Sequence, residues 1–213
     1  MSKPNHWLLE HKADKTSQFG EDGILQKILQ ILPGTDKWAV EFGAWDGIHC
    51  SNTRNLIREQ GYNAVFIEPV KERFEQLKRN YADLPGQTIE CINGFVGFTP
   101  QDGLDTILAS TAIPKDFDIL TVDIDGNDYW VWDALVDFRP RVVVIEYNIF
   151  FAPEERRTIP YDPSHRWDET AYHGASLGAL RALGSRKGYE LVYTDPYAPN
   201  AFFVTRDALP EGW

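Results

Sequence analysis

Two periods of hydrophobic and polar positions take turns along this chain. Between Asp22 and Leu32, the residues Ile24, Leu25, Ile28, Leu29 and Leu32 recur at helical spacing, so an amphipathic helix is predicted there, stopped by Pro33-Gly34. A strand at 38–43 then leads to a helix at about 51–60, ended by Gly61, and a strand at 63–68 leads to a helix at about 70–81. A strand at 88–92 runs through Asn93-Gly94 to a short helix near 103–110, and a strand at 118–123 to a helix near 128–137. A very apolar strand, Val142 to Ile145, ends at Glu146; a helix at about 175–187 and strands near 189–194 and 200–205 close the pattern. Strands alternating with helices specify a doubly wound α/β sheet. Thr194 to Pro199 is too short for a helical crossover, so the last two strands are predicted to pair antiparallel.

Two segments fall outside the rhythm. Residues 1–16 are polar without a strong period and read as a short irregular arm or frayed helix. Residues 148–172 form a long connection rich in rings (Phe150, Phe151, Tyr161, Trp167, Tyr172) and in Arg156, Arg157, His165 and Arg166. Long loops in compact domains are functional or disordered, and this one is too aromatic for disorder, so it is read as a lid over a substrate pocket.

Bulk composition narrows the function classes. The 213 residues, 43% hydrophobic and 25% charged, are read as one globular domain. A net charge of -11 disfavours nonspecific binding to nucleic acid or anionic membrane. Cys50 and Cys91 have no second pair, so neither a zinc knuckle nor a disulfide framework is implied, and reduced thiols in a cytoplasmic protein are expected. The first residues lack a signal peptide's apolar core and no run approaches the ~18 apolar residues of a membrane span.

Candidate chemistry gathers at the predicted strand ends. The first strand, Trp38-Ala-Val-Glu41-Phe, runs into a turn bracketed by Gly43 and Gly47, where open parallel sheets bind ligands. The second strand ends in Glu68, a carboxylate placed to accept both hydroxyls of a ribose. The glycine spacing is not Gly-x-Gly-x-x-Gly, which argues against a dinucleotide fold, and a nucleoside such as S-adenosylmethionine (SAM) suits the turn better. Asp118-Ile-Leu-Thr-Val-Asp123 alternates as a strand, and Asp123-x-Asp125-Gly-Asn-Asp128 places oxygen ligands just beyond it. The next strand closes with Glu146-Tyr147-Asn148, whose first and third positions share a face. Parallel neighbours lie about 4.8 Å apart, so Asp123, Glu146 and Asn148 are expected to converge on a hard cation, Mg²⁺ or Mn²⁺. Asp125 or Asp128 as an N-cap of the following helix is the competing structural role. An EF-hand loop is rejected because its twelfth position is Ala134 and a strand precedes it.

Four stretches carry a family resemblance: Ser17-Gln-Phe-Gly-Glu-Asp-Gly23, Val40-Glu-Phe-Gly-Ala-Trp-Asp-Gly47, Phe66-Ile-Glu-Pro69 and Asp118-Ile-Leu-Thr-Val-Asp-Ile-Asp-Gly126. There the sequence resembles the Rossmann-like, SAM-dependent methyltransferases, and more narrowly the small FkbM-type and related metal-dependent sugar O-methyltransferases. The resemblance implies a class I methyltransferase sandwich: a seven-stranded, mostly parallel sheet of order 3-2-1-4-5-7-6, its last strand antiparallel, with helices on both faces. It implies that Ser17, Gln18, Glu41 and Gly43 lie at the methionine end of the cofactor, with Asp46 and Gly47 in the turn beside it. Glu68 then meets the ribose, Asn93 and Gly94 the adenine, and Asp123 both cofactor and cation. Asn52 and Thr53, opening the next helix, serve as contacts or as caps.

The activity so implied is SAM-dependent O-methylation of a sugar, oligosaccharide or glycosylated small molecule. A cation would lower the hydroxyl's pKa and orient it toward the sulfonium methyl, and the remaining demand is positioning. His173, at the start of a predicted helix that favours its neutral form, is the preferred base, with His49 as rival. Asp125, Tyr147, Trp167 and His173 are read as acceptor contacts, with rings such as Trp45 and Phe151 also able to stack on a sugar face. A metal-independent small-molecule methyltransferase and a SAM-binding module without turnover are the alternatives. No two-His-one-carboxylate spacing stands out, and the sequence leaves a homodimer open.

Overall fold

The structure, a computed structural model, describes residues 7–32, 34, 36–195 and 198–211. Residues 1–6 of the expected arm, Pro33 of the expected helix stop, and Pro196-Tyr197 of the last connection lie outside the described residues. The elements run α1 (Glu21–Ile31), β1 (Trp38–Phe42), α2 (Arg54–Gln60), β2 (Asn63–Ile67), α3 (Lys71–Asn80), β3 (Ile89–Ile92) and α4 (Leu104–Leu108). They continue β4 (Asp116–Val122), α5 (Asp128–Ala134), β5 (Arg139–Glu146), α6 (Leu177–Arg186), β6 (Tyr189–Thr194) and β7 (Asn200–Thr205). Each predicted element is present. The bounds differ where apolar periodicity gives no signal: β5 starts at Arg139 because Arg139 and Pro140 pair with Asp116 and Phe117 of β4. Helix α2 begins later, since Ser51 to Thr53 are spent on its entry turn.

The strands form one sheet of order β3-β2-β1-β4-β5-β7-β6. β7 runs antiparallel to both β5 and β6, and the remaining pairs are parallel. This is the predicted topology. Alternation along each strand sends side chains to two cores. In β1, Val40 and Phe42 face the core shared with α4, α5 and α6, while Ala39 faces the core shared with α1, α2 and α3. Trp132 of α5 is fully buried between Tyr189 and Phe203, at centroid distances of 5.6 and 4.9 Å.

Register sets the site. Phe42 pairs with Val122, and Val122 with Ile145, so β1, β4 and β5 end level with one another. The residues just beyond, Gly43 and Asp123, and the last residue of β5, Glu146, are therefore neighbours. Gly43 has φ +71°, and a Cβ there would overlap the Asp123 carbonyl oxygen.

The described part of the arm, residues 7–16, packs against the domain. A 3-10 turn at Leu9–His11 follows Leu8, which is fully buried against the α1 core, and Lys12 pairs with Asp195 at the end of β6. The connection between β5 and α6 is ordered by backbone bonds: Ile159 N to Gly174 O at 3.1 Å and Ser176 N to Arg157 O at 2.8 Å. It reaches α5 through Trp130 Nε1 to Ile159 O (2.9 Å) and Asn127 Nδ2 to Asp162 O (2.8 Å). Among the described residues, no helix is long and apolar enough to cross a membrane.

Gly43→Ala combines a left-handed φ with a steric overlap on backbone, so it is expected to cost at least ~3 kcal/mol in urea unfolding. Gly61→Ala, at a similar φ of +73° but with open space around it, is expected to cost only about 1–2 kcal/mol. Equal losses at the two positions would show that the level strand tips are not under the constraint described.

Candidate active site

The turn after β1 is built by hydrogen bonds to carboxylates. Glu41 is buried on the α1–α3 side of the sheet; its Oε2 accepts from Ser51 Oγ (2.7 Å) and Thr53 Oγ1, and its Oε1 from Asn52 N (3.2 Å). Burial raises its pKa, against the lowering effect of those donors. Glu41, Asn52 and Thr53, expected beside the cofactor, thus form a pin between β1 and α2, with Ser51 Oγ accepting from Arg54 N to cap the helix. Asp46 Oδ1 accepts from Ile48 N and His49 N, and leaves His49 exposed on the turn. Gly47 is needed for space, since any Cβ would run into Leu77 and Tyr81 of α3.

Ser17 and Gln18 likewise belong to a capping arrangement. Ser17 Oγ accepts from Asp22 N (3.0 Å), while Asp22 Oδ2 accepts from the backbone of Lys15, Thr16 and Ser17. Glu21 Oε2 accepts from Gln18 N and Phe19 N, and its Oε1 from Asn200 Nδ2 (2.9 Å), tying this segment to the start of β7.

Glu68 lies between two loops. Its Oε2 accepts from Trp45 N (2.9 Å) and its Oε1 from Val70 N (2.8 Å), which leaves each oxygen a further lone pair. Asn93 Nδ2 donates to Glu68 O (2.8 Å), bringing the β3 end to the β2 end, and Gly94 has open space where a Cβ would be. Trp45 and Phe95 are exposed here, with Arg73 stacked 4.1 Å from the Trp45 ring. An acid between loops, open backbone and exposed rings fit a nucleoside with a vicinal diol.

Across β4 and β5 the acids converge. Asp123, Asp125 and Glu146 each present an oxygen within 4.8 Å of the others. Asp128 holds the turn beneath them: Oδ1 accepts from Ile124 N (2.9 Å) and Oδ2 from Gly126 N (2.8 Å), with Asp125 at φ +53°. Asp123 is exposed at the strand tip, beside the half-buried Asp125 and Glu146. Burial, then Asp128 and Asp125, raise its pKa; burial, then Asp123 and Asp128, raise that of Glu146.

Asn148 corrects an expectation. Its Oδ1 accepts from Phe150 N (2.9 Å) and its Nδ2 donates to Ala171 O (2.8 Å) and His173 O (2.9 Å), so it clasps both ends of the long connection. Asp125 presents an oxygen close to those of Asp123 and Glu146. The turn at Asp125 folds back over the tip of β4, which residue spacing alone does not reveal. His173 is buried with Nδ1 3.9 Å from Glu146 Oε2, and burial lowers its pKa. His165, placed in the lid by the sequence but given no role there, lies on Gly126, where a Cβ would meet its ring at 2.5 Å. Both imidazoles act electrostatically on Asp125. Trp167 packs 5.8 Å from the His173 ring, whereas Tyr147 turns away and donates to Asp195 O (3.3 Å).

No protein-family model and no curated protein matches this sequence. Among solved structures, the N-terminal domain of EvdMO1 with SAH bound is similar at 14% identity, over 94% of this chain and 83% of that one, with a TM-score of 0.52. ChlM, the magnesium protoporphyrin IX methyltransferase from Synechocystis PCC 6803 with bound SAM, is similar at 10% identity, over 87% and 77%, with a TM-score of 0.51. The CMeT domain of the citrinin polyketide synthase is similar at 12% identity, over 89% and 52%, with a TM-score of 0.53. A neighbour from Galdieria sulphuraria is spanned over 62% of its length. The fold is the Rossmann-like fold of SAM-dependent methyltransferases.

Raised carboxylate pKa values make the folded, cation-free chain bind more protons than the unfolded chain once pH exceeds the ordinary values of 3.8 and 4.5. Stability is then lost as pH climbs toward the raised values. Chelated protein is expected to melt lower at pH 8 than at pH 5.5, and an Asp123→Asn/Glu146→Gln double variant to lose less over that interval. Divalent cation is expected to raise the melting temperature of the native chain more at pH 8, because protons no longer compete for the same oxygens. An equal pH response in the two proteins would mean the cluster does not carry the effect.

Proposed function

We propose that this protein is a SAM-dependent O-methyltransferase that acts on a hydroxyl of a sugar or glycosylated small molecule, with a divalent cation, Mg²⁺ or Mn²⁺, at the acidic cluster. The observation that carries this reading is the convergence of Asp123, Asp125 and Glu146 at the level tips of β4 and β5, one strand from the Gly43 turn. SAM supplies an activated methyl on a sulfonium, so the protein's task is alignment and charge. A cation at the cluster supplies Lewis acidity to a coordinated hydroxyl.

The chain's own residues have matching tasks. Glu68 keeps lone pairs for a ribose, and Trp45 and Phe95 offer faces for a ring. Glu21, Glu41, Asp125 and Asp128 lie close enough to Asp123 to raise its pKa, and an opening lined by this many acids opposes a phosphate-rich acceptor. The connection over residues 148–172 acts as the lid. Trp167, exposed and 5.8 Å from the His173 ring, offers a face suited to a sugar. A domain of the same fold, that of EvdMO1, was solved in the presence of SAH and D-fucose, which adds weight to a sugar acceptor.

Calorimetry is expected to detect SAM binding, and excess SAM to raise the melting temperature by linkage. With labelled SAM and a panel of sugars and glycosides, methyl transfer is expected to require divalent cation, and Asp123→Asn to lower it by on the order of 10²-fold or more. Transfer that survives exhaustive chelation would favour a metal-independent methyltransferase. SAM binding without transfer to any acceptor would favour a binding module.

A further inference from the structure

A cavity of about 530 Å³ opens between the end of the N-terminal arm and α2, lined by Lys15, Thr16, Arg54, Asn55, Arg58 and Glu59. It shares no residue with the acidic cluster. Thr16 Oγ1 donates to Ser51 O (3.3 Å), which fixes the arm against the start of α2. Four buried polar atoms of the lining residues have no hydrogen-bond partner: Arg54 Nη1, Arg58 Nε, and both Oδ1 and Nδ2 of Asn55. Asn55 is only 2% exposed. Buried polar groups are nearly always satisfied, so an amide and two guanidinium nitrogens left open around one cavity call for a ligand.

Charge points the same way. Arg54 and Arg58 stand four residues apart on one helix, where like charges repel, and Lys15 adds a third cation to the lining. Both guanidinium groups lie against Tyr81, their Cζ atoms 5.7 and 5.5 Å from its ring centroid, and Tyr81 is itself pinned by donating to Gly47 O (2.6 Å). Among the described residues, Asp83 is the acid that ion-pairs with any of the three cations, at 3.0 Å from Arg58. Asp22 accepts from the backbone of Lys15 and Thr16, and Glu59 lines the cavity with an exposed side chain.

We propose that this cavity binds a phosphate monoester that also carries hydroxyl groups, a ligand of the sugar-phosphate type. Arginine offers its N–H groups to phosphoryl oxygens as a planar fork, and lysine adds a point charge. Neither can accept a hydrogen bond, whereas Asn55 Oδ1 can only accept. A hydroxyl beside the phosphate supplies the donor that Oδ1 lacks, while Asn55 Nδ2 donates to a ligand oxygen and Glu59 accepts from a further hydroxyl. The volume falls among those of small-molecule sites, which run to several hundred Å³, rather than of sites for a lone ion. The acidic crevice repels such a group, so the two places on the molecule select opposite charges.

The test is calorimetry on the whole chain with glucose 6-phosphate, inorganic phosphate and glucose as probes. Glucose 6-phosphate is expected to bind, inorganic phosphate to bind about tenfold more weakly, and glucose not to bind measurably. Lys15→Gln changes an exposed side chain, so the melting temperature of the unliganded chain is expected to stay the same while glucose 6-phosphate weakens by on the order of tenfold. Asn55→Leu removes both unpaired amide atoms and is expected to weaken glucose 6-phosphate by a similar factor, with a smaller effect on inorganic phosphate. If Asn55→Leu does not fold, the Lys15 variant carries the test. Equal affinity for the two phosphates overturns the recognition of hydroxyls and leaves a site for free phosphate. Affinity unchanged in Lys15→Gln overturns the assignment to this cavity. Displacement of the probe by SAM overturns a separate site and gives these cations to the carboxylate of that molecule. Failure of both phosphates to bind the native chain overturns the proposal outright.

Discussion

Three parallel strands that end level with one another are the constraint on which the rest of this structure depends. The pairings Phe42 with Val122 and Val122 with Ile145 leave no stagger between β1, β4 and β5. A slip of one residue would send Asp123 to the opposite face of the sheet, because side chains alternate with period two. The register is held from both sides by buried apolar residues: Val40, Leu120 and Val143 toward one layer of helices, and Ala39, Ile119 and Val142 toward the other. Burial of both faces gives each strand one favourable register, and the acids arrive at the common edge as a consequence.

Acids at that edge are then sorted by what their oxygens accept. Glu41, Asp22 and Asp128 are occupied by backbone and hydroxyl donors and hold turns in shape. Asp123, Asp125 and Glu146 form the set whose oxygens approach one another; burial, then the neighbouring acids with Asp128 among them, raises the pKa values of Asp123 and Glu146. One group of carboxylates fixes the loops, and the other is left with its oxygens facing one another.

The long connection after β5 is joined to the same scaffold. Asn148 clasps its two ends, Asn127 and Trp130 hold its middle to α5, and His165 rests on Gly126. Its contacts therefore converge on the turn that carries Asp125. On the far side, the N-terminal segment reaches the start of β7 through Glu21 and Asn200, so the crevice is closed by chain segments distant in sequence.

Much of this was legible in the sequence. Apolar periodicity marked each helix and strand, because burial on one stripe or on both faces leaves a repeat that short windows reveal. The acids Glu68, Asp123 and Glu146 were readable as strand-end residues for the same reason. What the sequence could not show was the partner of each oxygen. Glu41 and Glu68 both sit at strand ends and both are buried, yet one accepts from the hydroxyls that open α2 and the other from the backbone of two loops. Asp125, read as an acceptor contact, presents an oxygen near Asp123 and Glu146, while the Asn148 amide is drawn to carbonyls more than twenty residues away. Local pattern determines which residues reach the edge of the sheet, and only the tertiary structure decides which of them meet. Hydrogen bonds and charge contacts form across space between segments whose separation along the chain carries no periodic signal.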